Sequence, residues 1–388
     1  MLALRLARGA RLAVQLRRLL VTVAAAGTGF LLLCTLGYAL GHPEASRTAL
    51  LRLVWCAAPL VATVGFAVSV ARADPGTRPR PGLSAVGLGP VRMMLVSAAS
   101  TGACCTIGSA AALALFLHLR GDLAALPYHG AARGLLAAEQ PLPLPAALTL
   151  LALVPVLASV ATAAALRPRK ARPGTEDDPE RPEPPTPVPS GLPWGVAMLA
   201  VGLAVETYSV RAGRSAPTLP MPNGLGGRSV GVLAGWALTA LGLATAGPAL
   251  THHCGRLLQS ARPSAVRLLA GRILQQEARR IGRPLGVLCA VASGAYAGMT
   301  LYAAKQPGPG PMSALGGLLV AGCAAATLLM AAVEARQSRA ATVEELLRLG
   351  APAVALRGAA ALRTVVLVAV FLPLTWVIAE LAALPLTS

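Results

Sequence analysis

The sequence predicts an all-α, polytopic integral membrane protein, and three observations carry that prediction. Of 388 residues, 55% are hydrophobic and only 13% charged, where a soluble domain has about a quarter of its residues charged. Several apolar runs reach the roughly 20 residues that a helix needs to cross a bilayer. The arginines collect in alternate connections between those runs, as the positive-inside rule requires.

Taken in chain order, the apolar runs predict spans at 19–41, 50–71, 93–117, 145–166, 193–210, 229–251, 284–304, 313–335 and 360–384. Nine spans follow, or ten if the chain turns back after Trp376. Backbone polar groups in a bilayer must be satisfied within the segment, so each span is expected to be a helix. The basic start followed by an apolar run is like a signal peptide. Its pre-apolar region is too long for one, and residues 19–41 are expected to be a retained first helix.

A net charge of +19 raises the question of nucleic acid. The distribution answers it. With the N-terminus cytoplasmic, 26 of the 34 Lys and Arg residues fall on one side (1–18, 72–92, 167–181, 256–283 and 336–363) and 8 on the other. The charge therefore marks a membrane face, and no nucleic-acid partner is expected. Only Lys170 and Lys305 are lysines, and the Arg-, Ala- and Gly-heavy usage points to a GC-rich bacterial genome; the expected location is the bacterial plasma membrane. The seven cysteines lie mostly in apolar runs without disulfide or zinc spacing and are expected to be small core residues.

Residues 167–193, "RPRKARPGTEDDPERPEPPTPVPSGLP", are charged, Pro-rich and aperiodic, a flexible linker. No connection is long enough for a sizeable soluble domain. The small-residue runs 97–112 and 316–329 let helices approach closely, inside the chain or between chains, or form a substrate surface.

Two features recur. Arg8, Arg11, Gln15 and Arg18 share a helix face before the first span, and Arg272, Gln276, Arg279 and Arg283 do so before the seventh. Each set predicts a basic amphipathic helix on the membrane surface. Secondly, "SAVGLGPVR" (84–92) precedes the third span and "ELLRLGAPAVALR" (345–357) the ninth. Aligned on Gly89 and Gly350, Leu88 matches Leu349, Val86 matches Leu347, and Pro90 and Pro352 follow the glycines. Thr342 and Glu345 have the spacing of a capping box. Val343, Leu346 and Leu347 share a face, and Gly350 and Pro352 end the helix. A short helix at 342–350 with an apolar face suits docking to a partner protein or lying on lipid.

This order of elements resembles the FtsX/MacB-type permeases of ABC transporters, most closely at "VEELLRLGAPAVALR", with "LSAVGLGPVRMM" a degenerate first copy. The resemblance implies a first permease repeat at 1–166, the linker at 167–192, an inserted pair of spans at 193–251 and a second repeat at 252–388. It also implies a cytoplasmic ABC-type ATPase as partner, in two copies, and a second permease or accessory subunit beside membrane lipid. The ATPase contact would fall on Thr342, Glu345, Leu346, Leu347, Leu349, Gly350 and Pro352, with Val86, Leu88, Gly89 and Pro90 in the other half. Two departures stand against the family pattern: only "GHPEASRTA" (41–49) lies between the first two spans, and "PLTS" stops short of a further span.

The chain has no G-x-x-x-x-G-K-[ST] phosphate loop, G-x-S-x-G elbow or H-E-x-x-H motif, so it is not expected to be an enzyme or to need a cofactor. "THHC" (251–254) does not have the convergence a metal needs, and "NGLGGRS" (223–229) predicts an outer turn. Among ionisable residues in spans, Glu206 is the main candidate. It is expected near the outer interface, snorkelling or pairing with a loop arginine such as Arg211, and Arg52 and Glu380 sit similarly near outer ends. The expected function is a permease subunit that couples a separate ATPase to export or extraction of a hydrophobic or amphipathic substrate, or to force relay. The alternative is a non-transporting scaffold or regulatory subunit.

Overall fold

The computed structural model describes residues 2–74, 89–122, 136, 139–167, 191–211, 218–220, 227–260, 264–304, 310–350 and 352–387. Helix α1 is Leu2–Gly41. A 3-10 turn at Pro43–Ala45 then leads into α2 (Ser46–Trp55), α3 (Ala57–Ala73), α4 (Pro90–Arg120) and α5 (Leu144–Ala165). Further on come α6 (Gly191–Arg211), α7 (Val230–Ser260), α8 (Ala265–Ala304), α9 (Pro311–Ser338), α10 (Ala340–Arg348) and α11 (Ala353–Thr387).

The fold is that of a multi-pass α-helical membrane protein. Among the described residues, eight candidate spans are long and apolar enough to cross a bilayer: Ala13–Gly41, Pro43–Ala73, Val91–Arg120, Leu144–Ala165, Gly191–Arg211, Val230–Ser260, Pro311–Ser338 and Ala353–Ala383. The predicted span 284–304 forms the second half of α8 and is not among them. Between α6 and α7, Thr218–Pro220 (β1) pairs antiparallel with Gly227–Ser229 (β2), Thr218 opposite Ser229. The stretch predicted as a plain turn thus ends in a short strand.

Two expectations about helix ends change. The basic segments before the first and seventh spans are not separate surface helices, because α1 and α8 each run unbroken for 40 residues. At 1.5 Å per residue that is about 60 Å, twice the hydrocarbon thickness, so both helices extend well beyond a membrane. No glycine or proline separates Arg11 from Leu20, and in α8 the helix continues through Pro284. The chain also does not turn back after Trp376, since α11 continues as one helix to Thr387.

The chain divides into two compact units, residues 1–170 with 310–327, and residues 171–309 with 328–388. In the first unit α1 packs on α3, α4 and α5. Its core is made of side chains: Phe30, Leu33, Cys34, Ala112, Phe116, Leu136, Ala147 and Leu151, with Met312 and Leu315 of α9 against it. Phe30 and Phe116 meet edge to face at 6.4 Å between centroids, a favourable arrangement of ring quadrupoles. Thr28 and Thr63 are fully buried and bond each other at 2.8 Å. The small-residue run 97–112 works inside the chain, where Gly108 lies against the Thr22 carbonyl and Gly102 against Ser159.

In the second unit α7 lies between α6 and α8, and the contacts are largely backbone. On one side Gly195 faces Ala246, Gly202 faces Gly235 and Thr239, and Gly242 faces Leu199. On the other Gly247 meets Gly282, and Gly255 meets Gly271. Added Cβ atoms at Gly255 and Gly271 would come within 2.8 and 2.6 Å of the opposing carbonyls. Van der Waals contact between close backbones drives such association, because lipid tails remove the hydrophobic incentive. Helix α11 runs beside α8, tied by Ser293 to the Thr375 carbonyl at 3.2 Å and by Tyr296 to Glu380 at 2.7 Å.

Candidate functional site

The helix predicted at 342–350 exists as α10, shifted to Ala340–Arg348. Its start differs from the expected capping box. Arg339 is the N-cap with φ −93° and ψ −9°, no side chain caps the helix, and the Val343 amide bonds the Arg339 carbonyl at 2.9 Å. Alanines 340 and 341, strong helix formers, carry the helix back past Thr342, whose hydroxyl then has no end to cap. Arg339 alone interrupts the path from α9 into α10.

The end of α10 follows the expected chemistry. The Leu349 amide bonds the Glu345 carbonyl at 3.0 Å, the Gly350 amide bonds the Leu347 carbonyl at 3.1 Å, and Gly350 has φ +87°. That left-handed conformation suits glycine. Pro352 is exposed and its carbonyl accepts from Ala355 as α11 begins. Glu344 and Arg348 pair at 2.6 Å across one turn.

Thr342, Val343, Glu345, Leu347 and Leu349 are all exposed, Leu349 at 81%. The Leu346 side chain lies outside the described residues, as do Val86 and Leu88. Gly89 is extended (φ −67°, ψ 167°) and Pro90 opens α4, so this glycine starts a helix where Gly350 ends one.

What fixes α10 was not legible as a motif. Arg339 Nε lies 2.5 Å from Glu277 Oε1, and Arg363 of α11 lies 3.7 Å from Glu277 Oε2. Glu277 is buried in the charged half of α8, on the face of Ala270, Gly271, Leu274 and Ala278. Arg272, Gln276, Arg279 and Arg283 are exposed on the other faces. The spacing of three from Leu274 was the available signal, an acid on the apolar face of a basic helix. Burial pushes the Glu277 carboxyl above its ordinary range, and Arg339, Arg363 and Arg280 pull against that push without cancelling it. Such a buried triad contributes position more than stability.

Glu206 does not snorkel to solvent. It is fully buried in α6, and Trp236 of α7 donates its indole N–H to Oε1 at 2.7 Å. Arg211 is exposed and is not its partner. Oε2 has no hydrogen-bond partner among the described residues. Arg52 lies over the Tyr38 ring at 3.5 Å, and Glu380 accepts from Tyr296. Among the described residues no group of three or more His, Cys, Asp or Glu side chains is placed to hold a metal. Six cysteines are buried, Cys104 is half-buried, and all seven are free.

The chain matches no protein family, no curated protein and no solved structure.

Proposed function

We propose that this multi-pass membrane protein is the permease subunit of an ABC transporter of the FtsX/MacB type in a bacterial plasma membrane. Its motor would be a separate ATPase on the arginine-rich side. The observation that carries the reading is α10: a short helix presenting the exposed side chains of Val343, Leu347 and Leu349, stopped by a left-handed glycine and held at its root by Glu277. A loop that only joined two spans would need none of these features. In this mechanism, closure of the ATPase pushes α10. Arg339 passes the push through Glu277 to α8 and Arg363 to α11, and the substrate is hydrophobic or amphipathic.

The test is purification of the full chain from its native membrane in mild detergent, beside a Leu347→Asp, Leu349→Asp variant. Both side chains are exposed, so the variant keeps its fold. The expected result is a P-loop protein and ATP hydrolysis co-purifying with the wild type, with at least about tenfold less of both in the variant, since two apolar anchors in a groove are worth over 1.4 kcal/mol. Purification without ATP hydrolysis, or equal hydrolysis in the two preparations, overturns the reading.

A further inference from the structure

In the second unit, Glu206 carries a carboxyl that nothing around it balances. Along α6 it stands about 8 Å inside Arg211, and Trp236 stands about 9 Å inside the start of α7. Both therefore lie at one depth, within the apolar length of their spans. The Glu206 side chain is fully buried. Its Oε1 accepts from the Trp236 indole at 2.7 Å, and Oε2 has no partner among the described residues.

Neighbouring charges do not supply a counter-ion. Helix α6 packs on α7 and α11. From Val230 to Thr251, α7 has no ionisable side chain. On α11, Glu380 accepts from Tyr296 of α8, Arg363 faces Glu277, and Arg357 is exposed at the arginine-rich end. On α6 itself Tyr208 and Arg211 are exposed. Among the described residues no cation forms an ion pair with Glu206. A carboxylate there would be an uncompensated buried charge, and such a group neutralises instead. The room decides what neutralises it. A first side-chain carbon on Gly235 would stand 3.0 Å from Glu206 Cβ, and one on Gly202 2.5 Å from Thr239 Oγ1. Thr239 Oγ1, one turn deeper on α7, also has no partner among the described residues. A hard metal cation gathers roughly six oxygens, which two side-chain oxygens in a seam closed on glycine do not provide. A proton needs one.

We propose that Glu206 is a proton-binding site, and that the proton on Oε2 lets α6 and α7 close on each other. Its release to water at the nearer membrane face leaves a bare charge between the helices. That charge separates their ends, where Gly231 meets Ser209. The proposal is independent of the partner at α10.

The test begins with infrared spectra of the full chain in lipid vesicles, which separate the carbonyl stretch of a protonated carboxyl from the bands of a carboxylate. At about pH 6 a glutamate in water, with a pKa of about 4.3, is ionised. A protonated component is nevertheless expected, which Glu206→Gln removes, Trp236→Phe shifts by deleting the indole donor, and Glu277→Gln leaves in place. Spin labels on Tyr208→Cys and Val230→Cys, both exposed positions, then follow the two helix ends in a background without native cysteines. Their separation should lengthen as alkali removes the infrared component. Glu206→Gln, neutral at every pH, should keep the short separation throughout. Absence of a Glu206 component at about pH 6 in the unmodified chain would overturn the site. Its loss on replacing choline by sodium at constant pH would also overturn it, by making the ligand a metal cation. So would a change in separation with pH that survives in Glu206→Gln, since another group would then drive the movement.

Discussion

The two units solve the same packing problem with different materials. The first fills its interior with side chains, Phe30 against Phe116 with Leu33 and Leu151 around them. The second brings α6, α7 and α8 together on glycines, until backbone lies against backbone. The difference extends to the arginine-rich ends. There the first unit ties α1 to the end of α3 through basic groups on the long helix, Arg17 and Arg18, and an acid at the neighbour's exit, Asp74. The second unit reverses the charges, with acidic Glu277 on the long helix and basic Arg339 at the exit of α9. The first tie is half-exposed and leaves a cleft; the second is buried and holds a joint. A shared layout therefore does not imply shared mechanics.

The largest expected effect tests the packing half of that comparison. A side chain on Gly282 would collide with Pro248 Cα and the Gly247 carbonyl, at 2.6 and 2.7 Å for the first carbon alone. Gly282→Leu should destabilise the second unit by about 3 kcal/mol or more, as overpacking against backbone does where nothing can yield. Gly294 on the same helix faces open space, and Gly294→Leu should leave thermal stability in detergent nearly unchanged. In the first unit the vulnerable change is the opposite one: Phe116→Ala should cost about 3 kcal/mol through the void it leaves. Equal tolerance of Gly282→Leu and Gly294→Leu would break the contrast.

Much of this was legible. Apolar runs and arginine placement located the helices, and the order Leu349, Gly350, Pro352 announced the end of α10. The start of α10 was not, because Thr342 and Glu345 satisfy a local pattern that two alanines override by extending the helix. The glycine seams left a trace in the seven-residue spacings of Gly195 with Gly202 and Gly235 with Gly242, obscured because small residues are everywhere in this chain. The small-residue runs 97–112 and 316–329 are the more conspicuous pattern. The first does pack closely, while Gly317 and Gly322 in the second face open space. Glu206 and Glu277 could be seen as unusual, but their partners Trp236, Arg339 and Arg363 are distant in sequence. Only tertiary structure brings them together.

The buried tie gives the next prediction. Glu277 has its carboxyl raised in the fold, mainly by burial. The sign follows: its contribution to folding stability is full below the ordinary carboxylate value and declines as pH rises through the raised one. Acid therefore discharges the tie without unfolding the unit. Spin labels on Leu349→Cys in a background without native cysteines should report a more mobile α10 as pH falls through that raised value. Glu277→Gln should be equally mobile at every pH, because it has no carboxylate to hold Arg339. A variant that keeps the parent's pH response would show that Glu277 is not the group that holds α10.

The exposed tie should do far less, and this is where the comparison is sharpest. Arg18 and Asp74 stand 3.5 Å apart, with half of the Arg18 side chain in solvent. Pairs of that kind are worth less than about 1 kcal/mol, and salt screens them. Arg18→Ala should thus shift the thermal midpoint only slightly, and by less still at high ionic strength. Spin-label mobility at α10 should be the same as in the parent, since Glu277 and Arg339 are untouched. If Arg18→Ala instead loosened α10 as much as Glu277→Gln does, the two ties would be parts of one coupled system. The charge reversal between them would then matter less than the connection.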